Sequence, residues 1–152
     1  MPRGQNQEGH VLIRAGVLLF LLGLLTGLLA PVLENRRMVL SSHLEGVLNG
    51  IFLVLVGLVW PRLNLPARWL RIALAAALVG TYTNWATTLA AAALGAGERL
   101  MPIAGAGFRG RAAEEALIAV GLGTLTVAMI TTSVLVLAGL KDPPEGATAG
   151  PR

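Results

Sequence analysis

The chain has 152 residues, of which 55% are hydrophobic and only 13% charged, with a formal net charge of +4 and no cysteine. Soluble domains carry about 25% charged residues, and a chain this short cannot enclose so much apolar surface within itself, so its mean hydropathy of +0.70 points to lipid. The lack of thiols excludes disulfides, thiolate metal sites, iron–sulfur clusters and covalent c-type haem, and with only His10 and His43 available, a zinc site needing about four ligands is a poor fit.

A first membrane span is expected from Val11 to Leu33. Its uncharged part, from Ala15, is close to the roughly 20 residues that a helix needs to cross about 30 Å of hydrocarbon. No small-residue cleavage site follows it, and the remaining chain is as apolar, so a span is expected rather than a secretory leader. A polar turn of Glu34, Asn35, Arg36 and Arg37 comes after Pro31. The second span, Met38 to Trp60, carries His43, Glu45 and Asn49 in its first half and ends on an interfacial tryptophan and the helix breaker Pro61. Arg62, Asn64, Pro66, Arg68 and Arg71 make a basic loop. A third span, Leu70 to Gly97, holds Tyr82, Asn84 and Trp85 near its middle. The fourth, near 114–140, is uncharged from Ala116 to Leu140. After Lys141 the Pro/Gly-rich tail has no reason to order. The expectation is an all-α, single-domain, four-helix transmembrane bundle, with Gly23/Gly27 and Gly46/Gly50 as two GxxxG pairs that let helix backbones approach.

Polar groups in hydrocarbon are costly, at least about 2–3 kcal/mol for a charge, so His43, Glu45, Asn49 and Asn84 need partners. At 100° per residue, His43, Gly46 and Gly50 share one face of the second span, and Glu45 and Asn49 share another. A histidine above two glycines leaves an open strip that suits a planar ligand such as a porphyrin, held through neutral imidazole nitrogen. Thr81, Asn84 and Thr88 form a stripe on the third span, with Tyr82 and Trp85 beside it, as one wall of a partly polar pocket. The plainer alternative puts His43 and Glu45 at the interface and makes both asparagines interhelical glue.

The loop before the fourth span contains Gly105, Gly107 and Gly110 in the order G-x-G-x-x-G. A dinucleotide site would need a preceding strand and a later acidic residue; a membrane helix precedes this one. The glycines instead fit a tight capping loop, with Arg109 and Arg111 left to meet an anionic group of a bound cofactor. Glu114 and Glu115 at a helix start are expected to be structural.

The stretches NRRMVLSSHLEGVLNGIFLVLVGLVWPRL, GTYTNWATTLAAAALGAG, MPIAGAG and EEALIAVGL resemble the hydroxylaminobenzene mutases, small bacterial membrane isomerases. More distantly, His43, Asn49, Pro61, and Gly80 with Asn84 resemble the pattern of the styrene oxide isomerases. The second resemblance implies a trimer with haem b between subunits, His43 as axial iron ligand, and Asn49 and Asn84 in the substrate pocket. Thr88 departs from that pattern, which has a pocket tyrosine there, and this puts an epoxide substrate in doubt. The resemblances together imply an isomerase that turns an aryl hydroxylamine into an aminophenol, with ferric haem b as cofactor and Trp85 or Tyr82 packed on the arene. The alternatives are a haem-dependent epoxide isomerase and a non-enzymatic haem or small-molecule carrier.

The basic residues lie in short clusters at span ends, where arginine meets headgroups, which favours a role in topology over nucleic-acid binding. With four spans, Arg3, Arg14, Arg62, Arg68, Arg71, Lys141 and Arg152 fall on the side of the termini, and Arg36, Arg37, Arg99, Arg109 and Arg111 on the other. This excess implies cytoplasmic termini in a bacterial inner membrane. Reporter fusions after Arg68 and at the C-terminus should both read as cytoplasmic; a periplasmic signal from either contradicts this topology.

Overall fold

The computed structural model of the chain describes residues 3–33 and 35–140, so Glu34, Lys141 and the tail discussed above lie outside the described residues. Among the described residues there is no strand. The elements are α1 (Arg3–Gly27), α2 (Arg36–Val59) running into a 3₁₀ turn (Trp60–Arg62), α3 (Ala67–Leu94), the short α4 (Pro102–Gly105) and α5 (Ala112–Gly139). By length and composition α1, α2 and α5 can each cross a membrane. The 28 residues of α3 are long enough, but Thr81, Tyr82, Thr83, Asn84, Thr87 and Thr88 interrupt its apolar run, so by composition it falls short.

The first helix starts well before the expected Val11. Gln5 Nε2 donates to the carbonyls of Trp60 and Leu63 at 2.8 and 2.9 Å, and Trp60 Nε1 donates to Glu8 Oε2 at 3.1 Å. The first two of these bonds cap carbonyls at the end of α2 and its 3₁₀ turn, and the third fixes the indole. Trp60 is therefore a buried anchor, 0% exposed, and not the interfacial aromatic expected from its place before Pro61. At its other end α1 is regular only to Gly27 and reaches Leu33 through turns around Pro31, whose ring nitrogen has no proton to donate.

Each long helix packs chiefly on its neighbour in sequence, α1 on α2, α2 on α3 and α3 on α5. The four long helices thus pack in chain order, with α1 also touching α3. Leu117, Val120, Val127, Ile130, Val134 and Leu137 of α5 all face outward, which is stable only against lipid or another apolar surface.

The tightest seam joins α1 to α2. Gly9, Gly16 and Gly23 recur at every seventh position of α1, and a seven-residue repeat keeps one line of a helix facing its partner. Opposite them stand Gly57, Gly50 and Gly46. A Cβ added to Gly16 would lie 2.6 Å from the Gly50 carbonyl oxygen, and one added to Gly23 would lie 2.6 Å from the Val47 nitrogen. No side chain fits there. Leu12, Leu19 and Leu53, all 0% exposed, pack beside the glycines in the same core. Lipid tails are as apolar as leucine, so close van der Waals contact takes over the part that the hydrophobic effect plays in water. Gly23→Val should therefore lower stability in detergent by about 1–3 kcal/mol, the usual cost of overpacking. Gly123→Val, where an added Cβ meets nothing within 4 Å, should not; thermal unfolding of the two variants checks this.

Candidate active site

Two faces of α2 carry the polar residues. On the face toward α1, His43 Nδ1 lies 2.8 Å from the Gly23 carbonyl oxygen. A carbonyl can only accept, so Nδ1 carries a proton, and in the neutral imidazole it is Nε2 that has the lone pair. A metal-binding histidine is commonly held in this way, its second nitrogen fixed by a backbone carbonyl. Gly27 makes room for the ring: a Cβ there would stand 3.0 Å from Nδ1.

The strip below the ring is filled. Gly46 abuts Gly23 and Trp85, and Gly50 abuts Gly16 and Phe20, so the porphyrin platform expected on Gly46 and Gly50 is taken by the backbone of α1. The glycine repeat of α1 is the cause, since it matches the same strip. The fit to haem is thus divided. His43, half-buried with a directed Nε2, suits a single axial ligand to a group beyond the strip, whereas Gly46 and Gly50 belong to the seam. Among the described residues no three His, Cys, Asp or Glu side chains gather, so an ion ligated by protein side chains alone has no cage here.

On the other face, Glu45 and Asn49 stand one turn apart and meet Asn84 from α3. Glu45 Oε2 accepts from Asn49 Nδ2 at 3.0 Å and from Asn84 Nδ2 at 2.5 Å, and Asn49 Nδ2 also reaches the Glu45 carbonyl at 2.8 Å. Asn49 is buried, and Glu45 and Asn84 are half-buried. These hydrogen bonds offset the cost of holding a carboxyl group within an apolar helix. Sequence reasoning paired Glu45 with Asn49 but did not count Glu45 among the site residues; the available signal was an acidic residue one turn before an asparagine in an otherwise uncharged span.

The aromatics are fixed by their polar ends. Tyr82 Oη donates to the Ala15 carbonyl at 2.8 Å, and Trp85 Nε1 donates to Thr26 Oγ1 at 3.0 Å, so both tie α3 to α1. Ser42 Oγ adds a bond to the Trp85 carbonyl at 3.2 Å. Thr81 and Thr88 return their hydroxyls to Ala77 and Asn84 carbonyls of their own helix. Of the expected stripe on α3, only Asn84 sends its side-chain polar group across to α2. His43 and the amide cluster therefore diverge around α2 within one chain.

Arg109 is exposed in the loop before α5 and lines an open groove of about 780 Å³ with Arg99 and Glu115. Arg111, expected to be available to an anion, is paired with Glu114 at 2.6 Å. Glu115 Oε1 accepts from the backbone N–H groups of Gly97 and Gly110, so both glutamates brace the loop. Its glycines serve backbone geometry: Gly97 and Gly107 have φ of 98° and 89°, where a side chain is strained.

The family described as Styrene oxide isomerase matches residues 8–141. The chain is 49% identical to the hydroxylaminobenzene mutase HabB of Ectopseudomonas oleovorans over 93% of its own length and 89% of that protein. It is 41% identical to the hydroxylaminobenzene mutase HabA of the same organism, over 85% of this chain and 96% of the relative. No solved structure matches. The chain belongs to the styrene oxide isomerase family, alongside these mutases, and is by that membership an isomerase.

Proposed function

We propose that the chain rearranges an aryl hydroxylamine, with hydroxylaminobenzene as the type case, to an aminophenol inside a bacterial cytoplasmic membrane. The observation that carries this reading is the 49% identity to HabB along nearly the whole of both chains. The buried amide cluster supports it, because an apolar setting with a few placed polar groups suits a small aromatic ligand.

The rearrangement is redox-neutral and needs no cosubstrate. The N–O bond breaks, a C–O bond forms on the ring, and a ring proton is exchanged for one on nitrogen. Asn49 and Asn84 orient the N–H and O–H of the hydroxylamine, and the ring faces of Trp85 and Tyr82 pack against the arene. Because His43 and this cluster diverge around α2 within one chain, ferric haem b held through His43 Nε2 of a neighbouring copy would supply a Lewis acid for the departing oxygen. Arg109, in a loop at the same end of the helices as His43, is a cation for its carboxylates. With α1 packed below the ring, the cofactor must be enclosed by surfaces outside the strip, most simply those of neighbouring copies in a closed trimer. In this reading all four long helices cross the bilayer, α3 included, because its polar groups are turned to partners within the protein.

The family description favours a second reading, a haem-dependent epoxide isomerase. Product analysis with an aryl hydroxylamine and an aryl epoxide separates the two.

His43→Ala should abolish the Soret band and turnover together, while His10→Ala, on an exposed position of α1, leaves both intact. Asn49→Ala should keep the haem and lower kcat about a hundredfold, the scale of losing one preorganised polar contact. Wild-type turnover at full rate with no bound metal would sink the haem role and leave the isomerase standing. If His43→Ala keeps haem but loses activity, His43 acts instead as acid or base on the substrate. Mass measurement in detergent should give a trimer; a stable haem-loaded monomer contradicts the enclosure.

A further inference from the structure

An amide side chain offers a donor end and an acceptor end, and which end faces a ligand is decided by what the other end meets. At Glu45 that decision is made for both asparagines. Its Oε2 is the partner of Nδ2 of Asn49 and Nδ2 of Asn84, and a carboxylate oxygen can only accept. Both NH₂ groups are thereby turned inward. Neither Oδ1, nor Glu45 Oε1, has a partner among the described residues. Yet no buried side-chain oxygen or nitrogen there lacks one, so these oxygens reach the protein surface. The two amide oxygens can only accept, and so does Oε1 of a carboxylate.

We propose that Glu45 is a positioning residue that fixes the polarity of Asn49 and Asn84, so that the site favours ligands that donate hydrogen bonds over ligands that only accept. The inference rests on the reading of the cluster as the substrate site. An aryl hydroxylamine brings an N–H and an O–H and satisfies two acceptors at once. An epoxide brings a lone oxygen acceptor; it pairs with none of these carbonyl and carboxyl oxygens, and of the two amide groups only the second N–H of Asn84 is left to meet it. Glu45 is in this sense a specificity determinant between the two chemistries associated with the family.

Glu45→Gln tests this, because a glutamine amide can meet an asparagine with either end and so frees both asparagines to turn over. For the wild type, kcat/KM for hydroxylaminobenzene should exceed that for N-methyl-N-phenylhydroxylamine, which lacks the N–H, by at least about a hundredfold, since a site built around a donor rejects its absence strongly. In Glu45→Gln that ratio should fall by at least about tenfold. If the variant loses activity equally on both substrates and keeps the ratio, Glu45 is only structural and the proposal is overturned. Should the variant not fold, calorimetric binding to the wild-type holoprotein decides. Phenol should bind about tenfold more tightly than fluorobenzene, which is similar in size and lacks the donor, and equal binding overturns the proposal. Binding needs no turnover, so it separates this inference from the isomerase reading. A wild type that prefers phenol but converts no aryl hydroxylamine keeps the donor selection and loses the assigned reaction.

Discussion

The contact on which the rest of the structure depends is the glycine seam between α1 and α2. In lipid the apolar surface of a helix gains nothing by meeting another apolar surface, so helices stay together only where their backbones fit closely or their polar groups pair. Gly9, Gly16 and Gly23 of α1 and Gly57, Gly50 and Gly46 of α2 provide the close fit. That approach puts the Gly23 carbonyl within reach of His43 and sets which imidazole nitrogen is left for another ligand. It also closes the strip below the ring. The seam and the placement of His43 thus share one set of residues, and a change in the seam is felt at His43.

The seam leaves the opposite face of α2 to α3, and the organising contact there is polar. Glu45 draws Asn49 and Asn84 together, while Tyr82 and Trp85 reach over to α1. Three helices are held by two kinds of interaction, close glycine contact with hydrogen bonds between α1 and α2, and hydrogen bonds around Glu45 between α2 and α3. The outermost helix, α5, has only α3 as a principal neighbour, and its exposed apolar residues ask for lipid or another chain.

Much of this was legible in the sequence. Long uncharged runs give helices by length alone, and the interruptions at Pro31, Pro61 and Gly97 separate them. What the residues could not show was which helix would fill a given face. His43, Gly46 and Gly50 do lie on one face of α2 as their spacing demands, but an open strip and a filled one have the same pattern in α2. The difference was written in α1, in the sevenfold spacing of Gly9, Gly16 and Gly23, and a search for glycine pairs one turn apart passes over it. Trp60 misled for a related reason: beside Pro61 it looks interfacial, and only Glu8, far away in sequence, reveals a buried partner for its Nε1. The role of Glu45 was hidden because the bond that gives it meaning comes from Asn84 on another helix.

The proposed rearrangement is intramolecular, the oxygen of the hydroxylamine becoming the oxygen of the phenol. Turnover of hydroxylaminobenzene by purified protein in ¹⁸O-enriched water tests it most directly, with the aminophenol analysed by mass spectrometry. The expected product is aminophenol carrying the substrate's own, unlabelled oxygen, formed with no added oxidant or reductant. Aminophenol labelled from water, or no aminophenol at all, would contradict it.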